Sequence, residues 1–261
     1  MTASWKDDPP AWEEVYRDQD TRLLTKLGFP MLSSTKIVLV EKPLELLALQ
    51  EKIDKYWQEF AASKQNAFNG QLYAMSGWND FEYDGNTLIA KAFETNFATL
   101  LLKQDARGKV TPEEQEFLDS KIMFLGSSGY VQHKDNYLVG QVARRNIKQD
   151  LWETVPQGSV SHGFHRYDDP FHKTMAKEAM EETSLDLGED FEVVLPWGIN
   201  IGPKVGNCTL IYRLQLKPSS LEKVKCSPEH LALEWRSMQE ILDPANRYTL
   251  NPITPRLFEK I

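Results

Sequence analysis

Three glutamates, Glu178, Glu181 and Glu182, crowd into the stretch AKEAMEETSL at residues 176–185. Their spacing, i, i+3 and i+4, puts all three on one face of a helix. Like charges so placed repel one another, and the neighbouring Lys177 does not cancel them. A divalent cation relieves that repulsion. Hard carboxylate oxygens suit Mg2+ or Mn2+, above all where substrate phosphates complete the shell. The plainer alternative is a solvated acidic helix face, so the surrounding residues must decide.

Asp169-Pro170 reads as a helix start, with the acid as N-cap and proline at the first helical position. No glycine or further proline interrupts the run to Leu185. Counted from Gly163, the chain reads glycine, five residues, Asp169, seven residues, then Lys177-Glu178-Ala179-Met180-Glu181-Glu182-Thr183-Ser184-Leu185. This resembles the Nudix box, Gly-x5-Glu-x7-Arg-Glu-apolar-x-Glu-Glu-x-Gly-apolar. Three positions depart from it. Asp169 keeps the charge of the usual glutamate. Lys177 keeps the charge of arginine but not its bidentate fork. Ser184 lacks glycine's ease in a left-handed turn. The register before the helix has two readings, since Gly158 of Pro156-Gln157-Gly158 also fits the first box glycine, with an insertion after it.

The resemblance implies a fold, a chemistry and a set of roles. The fold is a Nudix α/β/α sandwich, a mixed α+β architecture. The chemistry is metal-dependent hydrolysis of a diphosphate that links a nucleoside to another group. Glu178, Glu181 and Glu182 are then the catalytic and metal-holding residues, with Mg2+ or Mn2+ as cofactor. Lys177 would brace the loop through an ion pair to an acid such as Asp169. Arg144 and Arg145, in ARRN before the box, are placed to meet a substrate diphosphate. Glu234, in EHLALEWRSM, is a candidate further ligand or base. The order of elements ahead of the box is similar to that of the subgroup that hydrolyses UDP-glucose and UDP-galactose. That likeness makes Asn69, Tyr73 and Gly158 candidates for substrate binding, with Phe68, Trp78 and Asn79 beside them. His162, His165 and His172 are loop residues near the box with phosphate in reach. Other Nudix substrates, such as ADP-ribose, and a non-catalytic nucleotide sensor remain open as alternatives.

Elements must position these groups. Residues 1 to about 35 read as an irregular arm with a short helix around WEEVYRDQDTRLLTKL. KIVLVE reads as a buried strand, followed by a helix from Pro43 to about Ser63. AFNGQLYAMSGW reads as a strand, and DFEYDGNTLIAKAF as a hairpin turning at Asp84-Gly85-Asn86. ETNFATLLLKQ follows as a helix. Thr111, Pro112 and Glu114 spell a capping box for another. This gives an N-terminal α+β domain, 1–121, with a possible role in substrate specificity. A second, Nudix domain spans 122–261. It holds strands at 122–133, 136–146 and 151–161, the box helix, strands at 191–200, 208–217 and 229–238, and helices capped by Ser237 and opened by Thr254-Pro255.

Composition sets the outer limits. With 261 residues, 41% hydrophobic, the chain can bury a sizeable core. A net charge of -8 carries no global basic footprint for nucleic acid. Two cysteines make no disulfide framework and lack metal-motif spacing. The N-terminus has no apolar signal core, and no apolar run is long enough to span a bilayer. The expectation is a soluble, cytoplasmic protein whose partner is a small nucleotide, not nucleic acid or membrane.

Overall fold

The computed structural model describes residues 13–17, 22–25, 32–64, 67–77, 80–106, 108–143, 152–202 and 206–243. Among them the strands are β1 (Glu13–Arg17), β2 (Arg22–Thr25), β3 (Ser34–Leu39), β4 (Gln71–Met75), β5 (Phe81–Asp84), β6 (Thr87–Asn96) and β7 (Met123–His133). They continue with β8 (Asn136–Val142), β9 (Trp152–Thr154), β10 (Gln157–Ser159), β11 (Phe191–Gly202), β12 (Asn207–Leu216) and β13 (His230–Ser237). The helices are α1 (Leu44–Ala48), α2 (Gln50–Ala62), α3 (Phe97–Gln104), α4 (Pro112–Lys121), α5 (Pro170–Thr183) and α6 (Met238–Leu242). No helix among the described residues is long and apolar enough to cross a membrane.

The fold is mixed α+β, built on one large mixed sheet. Its spine runs β1-β2-β11-β12-β7-β4-β6-β3. The pairs β7–β12 and β3–β6 are parallel, and the other spine pairs antiparallel. Strand β7 organises the centre. One edge pairs with β12 along nearly its whole length. The other edge is shared, by β4 at Met123 and Phe124, by β10 at Gly126–Ser128 and by β8 at Gln132 and His133. The sheet therefore continues across the boundary expected at residue 121.

Alternation along the strands sorts side chains onto two faces, as a sheet covered on both sides requires. Tyr73 and Met75 of β4, Met123 and Leu125 of β7, and Leu210 and Tyr212 of β12 join one buried cluster with Phe171 and Met175 of α5. Ala74 and Phe124 turn the other way, into a cluster with Leu49, Ile53, Leu102 and Leu118 from the N-terminal helices. Ile211 and Trp152 meet Ile241 of α6 in a third.

Local sequence explains three of the six helix starts among the described residues. Thr111 and Glu114 form the expected capping box on α4, and Ser237 and Glu240 form another on α6. Asn96 caps α3 by accepting from Thr99 N, so ETN belongs to β6 and not to the helix. The expected N-terminal helix is corrected: Glu13–Arg17 and Arg22–Thr25 pair as an antiparallel hairpin, and β2 adds to the edge of β11. A partner edge, which no local propensity records, decides that segment. The single strand expected over 151–161 is two, β9 and β10, broken at Val155-Pro156. The Thr254-Pro255 helix lies outside the described residues.

Candidate active site

Helix α5 carries the three glutamates, and its rotation gives them different surroundings. Glu178 and Glu182, one turn apart, point into the protein and are 8% and 4% exposed. Glu181 lies on the exposed side. Lys177 Nζ donates to Glu178 Oε1 at 2.9 Å and Glu181 Oε2 at 2.7 Å. This corrects the expected pair between Lys177 and Asp169. Burial works against the lysine's charge, yet its bonds to Glu181 and Glu178 hold its pKa above the usual value.

The inner carboxylates press against β10. Gln157 N donates to Glu182 Oε2 at 3.0 Å. At Gly158 the Glu178 carboxylate occupies the space a side chain would need. A Cβ there would lie 2.7 Å from Glu178 Cγ and closer still to its carboxyl group. Only glycine admits this approach. Burial pushes the Glu182 carboxyl up to about 9, with Glu178, Glu153 and Glu229 adding to the shift. Burial raises Glu178 as well, and Lys177 pulls it back.

Asp169 does not act as the expected N-cap. Its φ is 56°, and its side chain makes no capping bond. The hydroxyl of Thr35, on β3, does the work from outside the helix. It donates to Asp169 Oδ1 at 2.5 Å and accepts from Phe171 N at 3.3 Å. Ser184, at φ 61°, takes the left-handed turn that glycine would take more cheaply.

A cleft of about 820 Å³ opens beside α5. One wall is Phe68–Leu72, ahead of and within β4. The other holds Gln157–Ser159, Lys177, Glu178 and Glu181, with Ser161, His162 and Glu229 also lining it. The two walls are adjacent because β4 and β10 share one edge of β7. The structure thus brings together Glu178, Glu181, Lys177, Gly158 and Asn69.

Other expected residues sit elsewhere. Tyr73 is buried. Its hydroxyl accepts from Gly163 N at 2.8 Å and bonds His165 Nδ1 at 2.6 Å, so it anchors the loop before α5 and does not line the cleft. Asn69 Oδ1 accepts from Ala98 N at 2.8 Å, which commits that atom to the start of α3. Glu234 pairs with Arg236 on β13 and does not line the cleft. His172 packs near Tyr212 in a separate hollow with Asp169. Arg144, Arg145, Trp78 and Asn79 lie outside the described residues.

Two acids were not singled out from the sequence. Glu229 lines the cleft, and Glu153 of β9 is buried 3.8 Å from His230 Nε2. Trp152-Glu153, just before Pro156 and Gly158, was the available signal for the second. For the first there was only its proximity to the start of β13.

The donor set fits a hard divalent cation in chemistry: carboxylate oxygens, two of them on buried side chains whose pKa that burial raises. In arrangement it is open. Among the described residues no three His, Cys, Asp or Glu side chains converge to hold an ion, and Glu181 turns out to Lys177.

No family model and no curated protein matches the chain. Solved structures do. A Deinococcus radiodurans protein is 11% identical at a TM-score of 0.42, over 52% of this chain and 81% of that one. A Nitrosomonas europaea NUDIX hydrolase is 15% identical at 0.39, over 54% and 75%. A C. elegans Ap4A hydrolase is 16% identical at 0.38, over 52% and 93%. At such identities and TM-scores the likeness does not decide family or activity.

Proposed function

We propose that the chain is a metal-dependent Nudix-type pyrophosphohydrolase acting on a nucleoside diphosphate-linked compound. A UDP-sugar, split to UMP and sugar 1-phosphate, is the substrate to test first. The observation that carries the reading is the pair Glu178 and Glu182, buried against Gln157 and Gly158 beside a cleft of substrate size. A merely solvated acidic face would turn all three glutamates outward.

Glu178, Glu181 and Glu182 would hold Mg2+ or Mn2+, which when bound neutralises diphosphate charge and makes water more acidic. The chain's own residues supply the rest. Lys177 stands on the cleft wall and presents its ammonium to a phosphate oxygen once Glu181 is released. Arg144 and Arg145, which follow β8, pair with the diphosphate. Glu229, which lines the cleft where Glu234 does not, takes the proton of the attacking water. Gly158 keeps Glu178 in position. The N-terminal unit, 1–121, supplies the opposite wall and with it a part in substrate choice.

The test is product analysis by chromatography, with Mg2+ or Mn2+ and a panel of UDP-glucose, ADP-ribose, a dinucleoside polyphosphate and coenzyme A. UMP and glucose 1-phosphate are expected, with the rate about a hundredfold or more lower in Glu178→Gln. Turnover of a different compound would keep the chemistry and discard the sugar. No turnover, with tight metal-dependent binding of one compound, would make the protein a sensor instead.

A further inference from the structure

Phe68 is 81% exposed, the largest such value among the exposed large hydrophobic side chains of the described residues. It stands on the wall of the cleft facing α5 and is the only phenyl or indole ring among the lining residues. Its place is fixed from below. Asn69 Oδ1 accepts from Ala98 N, Gly70 O accepts from Phe97 N, and the ring lies over Gly70, where a Cβ would come within 3.2 Å of Phe68 Cε1. An anchored backbone thus holds an apolar ring out into water, although Leu72, four residues on, packs against a large buried cluster.

The cleft has two unlike poles. One is this bare aromatic face. The other is the charged wall of Lys177, Glu178, Glu181 and Glu229, with Gln71 and Gln157 also lining the space. A ligand that is flat and aromatic at one end and a diphosphate at the other matches both poles.

We infer that Phe68 is the platform on which the substrate's nucleobase stacks, and so a specificity-determining residue for nucleotides over other diphosphates. The inference rests on the hydrolase reading above and names how that site takes the nucleoside. Every base has a π-face, so the platform selects for a base without choosing which one. Gln71 and Gln157 offer both a donor and an acceptor for reading the base edge.

The experiment compares binding of UMP and AMP with that of ribose 5-phosphate, which lacks a base, in the full chain with Mg2+. Variants are Phe68→Ala, Phe68→Leu and Phe68→Trp, with KM and kcat for the hydrolysed substrate measured alongside. The parent should favour nucleotide over ribose 5-phosphate by about tenfold or more, and Phe68→Ala should lose most of that preference. Phe68→Leu, apolar but without a π-face, should lose it too. Phe68→Trp should retain it. The loss should fall on KM with kcat little changed. Because the ring is exposed, all variants should melt with the parent, so misfolding does not imitate the result. Hydrolysis with an unchanged KM in Phe68→Ala would overturn the inference and leave the enzyme reading standing. A parent that neither hydrolyses the panel nor binds UMP would overturn both.

Discussion

At the scale of single residues, Glu182 sets function against stability. Its carboxyl stands near 9 in the fold and close to 4.5 in an unfolded chain. An acid whose pKa rises on folding leaves stability untouched while both states are protonated, below about 4.5. As pH climbs from there to about 9, the unfolded chain ionises first and stability falls. In chelator, Glu182→Gln should therefore melt several degrees above the parent at pH 8, on the order of a few kcal/mol, and the gap should close as pH falls toward 5. The same variant should be inactive, and a melt equal to the parent's at pH 8 would refute the account. Gly158→Ala tests the neighbouring contact. The added methyl displaces the Glu178 carboxylate, so turnover should drop about a hundredfold or more while the melting temperature moves little. The glutamate spacing made the shared helix face legible in sequence. It did not show depth: Glu178 and Glu182 turn in and Glu181 turns out, a distinction made by β10 and not by the helix. Likewise, Asn69 and Tyr73 were recognisable as residues of interest, but their commitment to backbone atoms 29 and 90 positions away was not.

At the scale of elements, the start of α5 is held by a strand far away in sequence. Thr35 of β3 bonds both Asp169 and Phe171. Thr35→Val keeps the shape and removes the hydroxyl, leaving the Phe171 N–H without that acceptor. A loss on the order of 1–3 kcal/mol is expected in denaturant titration, with Thr35→Ser close to the parent. Equal stability of Thr35→Val would show that Asp169 needs no such partner. Helices with their own caps, such as α4 and α6, were legible to the residue because their instructions are local. The hairpin of β1 and β2 was not, because its instruction is the open edge of β11.

At the scale of the whole molecule, β7 belongs to both halves. It pairs with β4 from one and with β10 and β12 from the other, and Tyr73 and Met75 share a buried cluster with Phe171 and Met175. The segment 122–261 alone would bare part of an edge of β7 and the apolar surface beneath it. Expressed by itself it should be insoluble or melt well below the full chain; a soluble fragment with the parent's melting temperature would restore the picture of two independent domains.

The shared strand also dictates the order of events in folding. As the chain is made, β4 and β6 emerge well before β7, and the parallel partner β12 follows β7 only about 80 residues later. The central ladder cannot close until the chain has been made through β12, and it closes by long-range pairing, which carries a large loop-closure entropy. Folding should be slow for that reason, and the unpaired edge of β7 is the surface most open to wrong partners in the interval.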